Sequence, residues 1–496
     1  MFFPYFSLKL KLQHILFGLI TNLKPFNMKN FNFKTLSALT LVLFMAFSCS
    51  DDDNGATPPT IPDPVDPTPP TEEAMSIVET AVATEDLSTL VAALEKADLV
   101  ETLQGDGPFT VFAPTNEAFQ AFLDANDDFA SLDDIPVEVL TQVLLNHVVA
   151  GENTSSTLAT GYVSSSSTAG VDGKALSLYV DTTDGVKING VSVTTADVAA
   201  SNGVVHIVDQ VIGLPNIVDH AIYNGALTSL VGALTADGNT TFTDLLSSTD
   251  QKFTVFAPVN DAFTAFENLN GNDINMILAN HVIAGSALVA SDLSNSYAKT
   301  AAMNVDGDAL SIYINTDDGV KLNGISTVAI PDIVATNGII HAVDTVIDLP
   351  TVVTFATADT ENFSSLIGAL TAEGQPDFVS VLSTPTGTDP APFTVFAPVN
   401  SAFEALAEVP TGETLTAILQ HHVIGGNNIV AGDLTDGLIS PATLEGDVLT
   451  FTAAGDGFSI TDGAGNSDIN IIVTDVQAMN GVVHAIDKMM IPNLDN

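Results

Sequence analysis

Apolar residues alternate with small or polar ones through FTVFAP at Phe109 to Pro114, the pattern of a β-strand that stops at proline. Helical spacing begins immediately afterwards in NEAFQAF, and Asn116 stands where an N-cap would accept an amide of the first turn. The same eight residues, with one change, return at Phe253 to Asn260 and at Phe393 to Asn400, so Asn260 and Asn400 are expected to cap in the same way. The spacings of 144 and 140 residues are the length of whole domains, far longer than a solenoid turn. A buried strand running into a capped helix is therefore predicted three times.

Other landmarks keep step with the octet. Helical periodicity runs through MSIVETAVATEDLSTLVAALEKA ahead of the first copy. NHVVAG at Asn146, NHVIAG at Asn280 and HHVIGG at His421 read as apolar helices ending at glycine. LSLYVDTTDGVKINGVSV and LSIYINTDDGVKLNGIST alternate about a central Asp-Gly, a hairpin signal, and the third copy lengthens the end of this segment. Each repeat closes on NGVVHIVD, NGIIHAVD or NGVVHAID, starting at Asn202, Asn337 and Asn480. The first and last histidines of the copies are 59, 60 and 62 residues apart, which implies one shared framework.

In this fixed order, FTVFAPxNxAF, the His-Val element and NGxxHxxD resemble the fasciclin domain, over nearly everything from Ala74 to Pro492. The resemblance implies an α+β fold, a wedge of β-strands with helices packed along it. The expected organisation is an export signal and upstream segment at 1–48, a lipid-anchor and proline-rich tether at 49–73, and fasciclin-like domains at 74–214, 215–349 and 350–496. Only short LPN and DLP corners separate consecutive copies, which predicts a semi-rigid tandem rather than loosely strung beads.

Charge narrows the partners. From Cys49 onward there are 60 acidic residues against seven lysines and no arginine, a net charge of −53. Such a surface repels phosphate backbones and anionic lipid, so nucleic acid is excluded as a partner, while divalent cations are attracted. The lone cysteine rules out disulfides within the chain, leaving each domain to core burial. Before Cys49, Lys29 and Lys34 precede a 12-residue apolar stretch, Leu36 to Phe47, suited to a signal sequence starting at Met28 rather than at Met1. AFSC resembles a bacterial lipobox, implying cleavage before Cys49 and acylation of its thiol, and the following SDDDN is similar to tracts that direct lipoproteins to the outer face of the outer membrane. Seven prolines between Pro58 and Pro70 make an extended stalk.

Nothing in this pattern predicts catalysis or a cofactor. His206 and Asp209, His341 and Asp344, and His484 and Asp487 stand three apart, which on a strand places them on opposite faces. No fixed nucleophile, CxxC, HExxH, P-loop or GxGxxG pattern accompanies them. The expected role of these histidines is to hydrogen-bond backbone groups. His147 with His206 supplies too few ligands for zinc, and Asp181 to Gly190 departs from a calcium loop. The resemblance adds one docking candidate: in animal adhesion proteins of the family, an Asp-Ile pair just before NGxxH contributes to integrin binding together with a Tyr-His element. Asp332 and Ile333 match that pair, with Asp197 and Val198, and Asp475 and Val476, in the same places. The tyrosine is absent: Asn146, Asn280 and His421 precede His147, His281 and His422, the first histidines of the three copies. The reading is a non-enzymatic surface adhesion or binding lipoprotein engaging polysaccharide, protein matrix or other cells, or alternatively a structural spacer without a specific ligand.

Overall fold

The computed structural model describes residues 74–494 apart from 127, 239 and 456. The expected export signal, Cys49 and the proline tether lie outside the described residues. The described residues form one compact unit. Within it three mixed sheets follow one another, of seven, seven and six strands.

In the first domain the strands are β1 (Phe109–Pro114), β2 (Val148–Ala150), β3 (Gly161–Ser164), β4 (Ser177–Asp181), β5 (Lys187–Ile188), β6 (Val191–Ala200) and β7 (Gly203–Val208), in the order β2-β1-β7-β6-β5-β4-β3. β1 runs parallel to β7, with Phe109 opposite Gly203 and Phe112 opposite His206, and all other pairings are antiparallel. The second domain repeats the order with β8 (Phe253–Pro258), β9 (Val282–Ala284), β10 (Ser296–Met303), β11 (Ala309–Asn315), β12 (Lys321–Leu322), β13 (Ser326–Val334) and β14 (Gly338–Val343). The third comprises β15 (Phe393–Pro398), β16 (Val423–Gly425), β17 (Thr450–Ala454), β18 (Gly457–Thr461), β19 (Ile469–Ala478) and β20 (Gly481–Ile486).

The alternation in FTVFAP separates two cores rather than core from solvent. Val111 and Ala113 face a helical core with Leu90, Leu94, Phe119, Leu140 and Leu144. Phe112, one residue out of step, faces a second core with Leu178, Val180, Ile188 and Val208. The strand is thus covered on both sides, and Thr110, fully buried, gives its hydroxyl proton to the Gly151 carbonyl.

Two local expectations are corrected and a third is extended. Asn116, Asn260 and Asn400 do not cap their own helices. Asn116 Oδ1 accepts the N–H of Thr89 in helix Ser88–Lys96, Asn260 Oδ1 that of Ser229 in helix Thr228–Leu234, and Asn400 Oδ1 that of Ser365 in helix Thr360–Leu370, each at 2.8 Å. In the first copy the cap of the following helix is Thr115. Second, the His-Val segments are short strands after the helices Val137–Asn146, Ile274–Ala279 and Gly412–His421; the glycine lies beyond the strand, as at Gly151. Third, the hairpin about Asp184-Gly185 forms, with Asp181 of β4 opposite Lys187 of β5, and continues into a three-strand meander. Its second turn is Asn189-Gly190, both at positive φ (49° and 80°), as a two-residue turn of the mirror-image kind requires.

The NG closing each repeat staples its first helix. Asn202 Oδ1 accepts the N–H of Ile77 while its Nδ2 donates to the Leu103 carbonyl; Asn337 does the same for Ile217 and Leu246, and Asn480 for Val352 and Leu382.

The two joints between domains repeat one design. Ser177 Oγ in β4 accepts the N–H of Val334 at 2.9 Å, and Ser311 Oγ in β11 accepts that of Gln477 at 2.9 Å. Tyr162 stands 5.7 Å from the ring of His220, and Tyr297 5.7 Å from that of Phe355. Their hydroxyls meet Asn224 and Asp359 at the C-terminal ends of those helices.

Candidate docking surface

The docking candidates lie where the long strands β6, β13 and β19 bulge. Pairing with the following strand shifts register between Thr195 and Val198, between Ile330 and Ile333, and between Val473 and Val476. Asp197, Asp332 and Asp475 occupy the bulges at φ of 61°, 61° and 60°, a left-handed conformation that aspartate tolerates better than most side chains. Each carboxylate accepts a backbone N–H from a neighbouring loop at 2.7 Å: Ser155 for Asp197, Ala290 for Asp332 and Ala431 for Asp475. The Asp197 and Asp332 side chains stay about two-fifths exposed (41% and 42%), and Asp475 is half-buried at the second joint. Its carbonyl accepts Nζ of Lys299 at 2.6 Å. Burial of Lys299 lowers its pKa, against the opposing pull of Asp475.

The apolar members point inward. Ile333 is 1% and Val476 4% exposed, and Val198 packs half-buried against the helical core. A partner approaching from solvent would meet the aspartates.

The last histidine of each repeat holds the bulge from beneath. His206, His341 and His484 accept the N–H of Asp197, Asp332 and Asp475 at Nδ1 (3.2, 3.3 and 3.4 Å), and their Nε2–H donates to the carbonyls of Asn153, Leu288 and Ile429 at 2.9 Å. A backbone N–H on one nitrogen and a carbonyl on the other fix the neutral tautomer. Each ring stacks on the phenylalanine of the parallel strand: Phe112, Phe256 and Phe396. Burial lowers the pKa of His341 and His484.

The first histidines are equally committed. Nδ1–H of His147, His281 and His422 donates to Val143, Ile277 and Ile418 carbonyls, and Nε2 accepts the N–H of Ile212, Ile347 and Met490. Complete burial pushes all three pKa values down to about 4. His147 and His206 bond to separate backbone groups, and all six rings have both nitrogens engaged, which leaves none poised as a general base.

An open groove of about 640 Å³ runs along the second joint beside Asp475, lined by Asn295, Tyr297, Lys299, Asp359 and Glu361 among others. This groove combines residues from distant parts of the chain and carried no local signature. Among the described residues, no helix is long and apolar enough to cross a membrane.

The sequence profile of the fasciclin domain matches residues 85–215, 225–350 and 361–492, most of the chain. The chain belongs to the fasciclin domain family, as three tandem domains of α+β architecture. Similar proteins include protein sll1483 of Synechocystis sp., 48% identical over 29% of this chain and 75% of its own length, and uncharacterized protein sll1735 of the same organism, 40% identical over 28% of this chain and 96% of its own. Human periostin is 26% identical over 85% of this chain and 48% of its own length. A solved FAS1 domain pair from the insect cell adhesion molecule fasciclin I aligns over 53% of this chain and 97% of its own, at 20% identity and a TM-score of 0.35.

Proposed function

We propose that this protein is a non-enzymatic cell-surface adhesion or binding lipoprotein, engaging extracellular polysaccharide, protein matrix or other cells through its three fasciclin domains. The observation that carries the reading is the threefold return of a carboxylate on the same histidine-braced bulge, in domains joined by one repeated joint. Weak sites multiplied on one chain suit a polymeric or clustered target, where linkage raises avidity without new contacts. Asp197 and Asp332 are the leading contacts, Asp475 contributes through the neighbouring groove, and Val198, Ile333 and Val476 seat the bulge from inside. Acylation of Cys49 after signal cleavage would hold the chain at the outer membrane or cell surface, a reading supported by the AFSC sequence and the acidic tract behind it.

A spacer without a specific ligand is the second reading, favoured by the local use each carboxylate already has in its own loop. The full chain and its D197N/D332N/D475N variant, tested on glycan and matrix-protein surfaces with and without calcium, separate the two. Asparagine keeps the accepting oxygen and the left-handed backbone but removes the charge. Binding that the variant loses supports adhesion, and an absence of binding by both supports the spacer. Cys49→Ala should release the protein in soluble form, and continued membrane association would contradict acylation.

A further inference from the structure

The third domain departs from the other two at one buried position. Where they hold Asn146 and Asn280, whose side-chain amides donate to the carbonyls of Gly213 and Asp348, the third holds His421, fully buried. The Nε2 atom of His421 accepts the N–H of Gly463 at 3.2 Å, which turns Nδ1 toward a turn found beside it, Thr443 to Asp447. That turn closes through the N–H of Thr443 to the Asp447 carbonyl (2.8 Å) and is pinched at Gly446 (φ 125°). It brings Glu445 Oε2 to 3.3 Å from His421 Nδ1. Asp447 is tied down from another direction, its Oδ2 accepting the Asn493 N–H at 2.6 Å. One donor atom each from His421, Glu445 and Asp447 lies within 4.8 Å of the others.

We infer that His421, Glu445 and Asp447 form a binding site for a divalent transition-metal cation, of which Zn²⁺ is the representative. One imidazole nitrogen and two carboxylates offer a neutral and two anionic ligands, matching a 2+ charge, and the 3.3 Å between His421 Nδ1 and Glu445 Oε2 suits two bonds of about 2.0–2.2 Å, to which Asp447 closes as the third ligand. An ion at Nδ1 takes the place of the proton there, the neutral ring carrying its proton on Nε2 instead and giving up the Gly463 hydrogen bond, and it relieves the repulsion between two carboxylates held together on a strongly acidic protein. Imidazole selects against Ca²⁺, which takes six to eight oxygen ligands. Glu445 and Asp447 are half-buried and Gly446 is exposed, so the ion can enter from solvent and keep water as a further ligand.

The site is testable on the full chain after chelator treatment, by titration calorimetry with Zn²⁺ and by the visible absorption of Co²⁺ as a spectroscopic substitute. Expected are one Zn²⁺ per chain bound at least tenfold more tightly than any other, a rise in the thermal midpoint that equal Ca²⁺ does not give, and Co²⁺ bands showing nitrogen and oxygen ligation. H421N installs the residue that the first two domains carry and should abolish all three. E445Q, at the rim of the turn, should weaken Zn²⁺ at least tenfold and provides a second variant should H421N fail to fold. Zn²⁺ binding with unchanged stoichiometry and affinity in either folded variant, or Zn²⁺ affinity no greater than that for Ca²⁺, would overturn the assignment.

Discussion

The hydroxyl of Ser177 accepts the backbone N–H of Val334 across the first joint, as Ser311 accepts that of Gln477 across the second, both at 2.9 Å. Ser177 and Ser311 sit at matching places in β4 and β11, and their partners each lie two residues past a bulge aspartate. A bulge is therefore tied to the preceding domain as well as to its own histidine. Ser311→Ala leaves the buried Gln477 amide without a partner, at a cost of about 1–3 kcal/mol. Calorimetry should show the second and third domains unfolding less cooperatively in this variant, whereas an unchanged trace would mean that the joint is held elsewhere.

The bulge itself makes a second prediction. Asp332→Ala forfeits both the loop hydrogen bond and a side chain that tolerates positive φ, for a loss of about 1–2 kcal/mol. Asp332→Asn keeps both features and should denature within about 0.5 kcal/mol of the parent. Equal losses in the two variants would point to charge rather than geometry as what the bulge needs.

Gly481 offers a sharper steric test. It sits at φ 151°, and a Cβ there would lie 2.1 Å from the Phe393 carbonyl oxygen, where β20 pairs with β15. Gly481→Ala should therefore cost about 3 kcal/mol or more and disrupt the third domain. A near-normal denaturation midpoint would contradict the close parallel pairing.

Acid stability follows from the first histidines. His147, His281 and His422 fall to about 4 in the fold from 6.5 in a free chain. A folded value below the unfolded one means the neutral ring stabilises fully above pH 6.5. That contribution, about 3 kcal/mol per ring, is lost as pH falls from 6.5 toward 4. Denaturant midpoints should decline over this window, and His281→Asn should flatten the decline whatever its starting stability. An unchanged slope in that variant would mean that carboxylate titration, not histidine burial, sets the acid limit.

Much of this architecture could be read from the chain, and the misreadings have physical causes. The triplicated octet gives the strand, the helix after it and the number of domains, because alternation and helical periodicity are local. The parallel pairing of β1 with β7 joins residues about 94 apart, and no periodicity reports that. Asn116 looks like a cap because asparagine usually serves the helix it begins, yet its side chain reaches the Thr89 amide of another helix, a choice made by packing. Asp184-Gly185 marks the turn between β4 and β5, while Asn189-Gly190, legible by the same rule, adds a second turn and a third strand. The Asp-hydrophobic pairs were visible as recurring letters, while the bulge that separates exposed Asp332 from buried Ile333 is a tertiary feature. His421 stood out as a departure, but Glu445 and Asp447 lie 24 and 26 residues downstream and meet it only through the turn.

Most directly, the adhesion account is tested by the dissociation of the full chain from glycan and matrix-protein surfaces prepared at sparse and dense loading. Three sites on one chain predict release at least a hundredfold slower from the dense surface, with the D197N/D332N/D475N variant losing that gain. Density-independent release, or no retention on any surface, would contradict the claim that the repeated bulge is a repeated binding site.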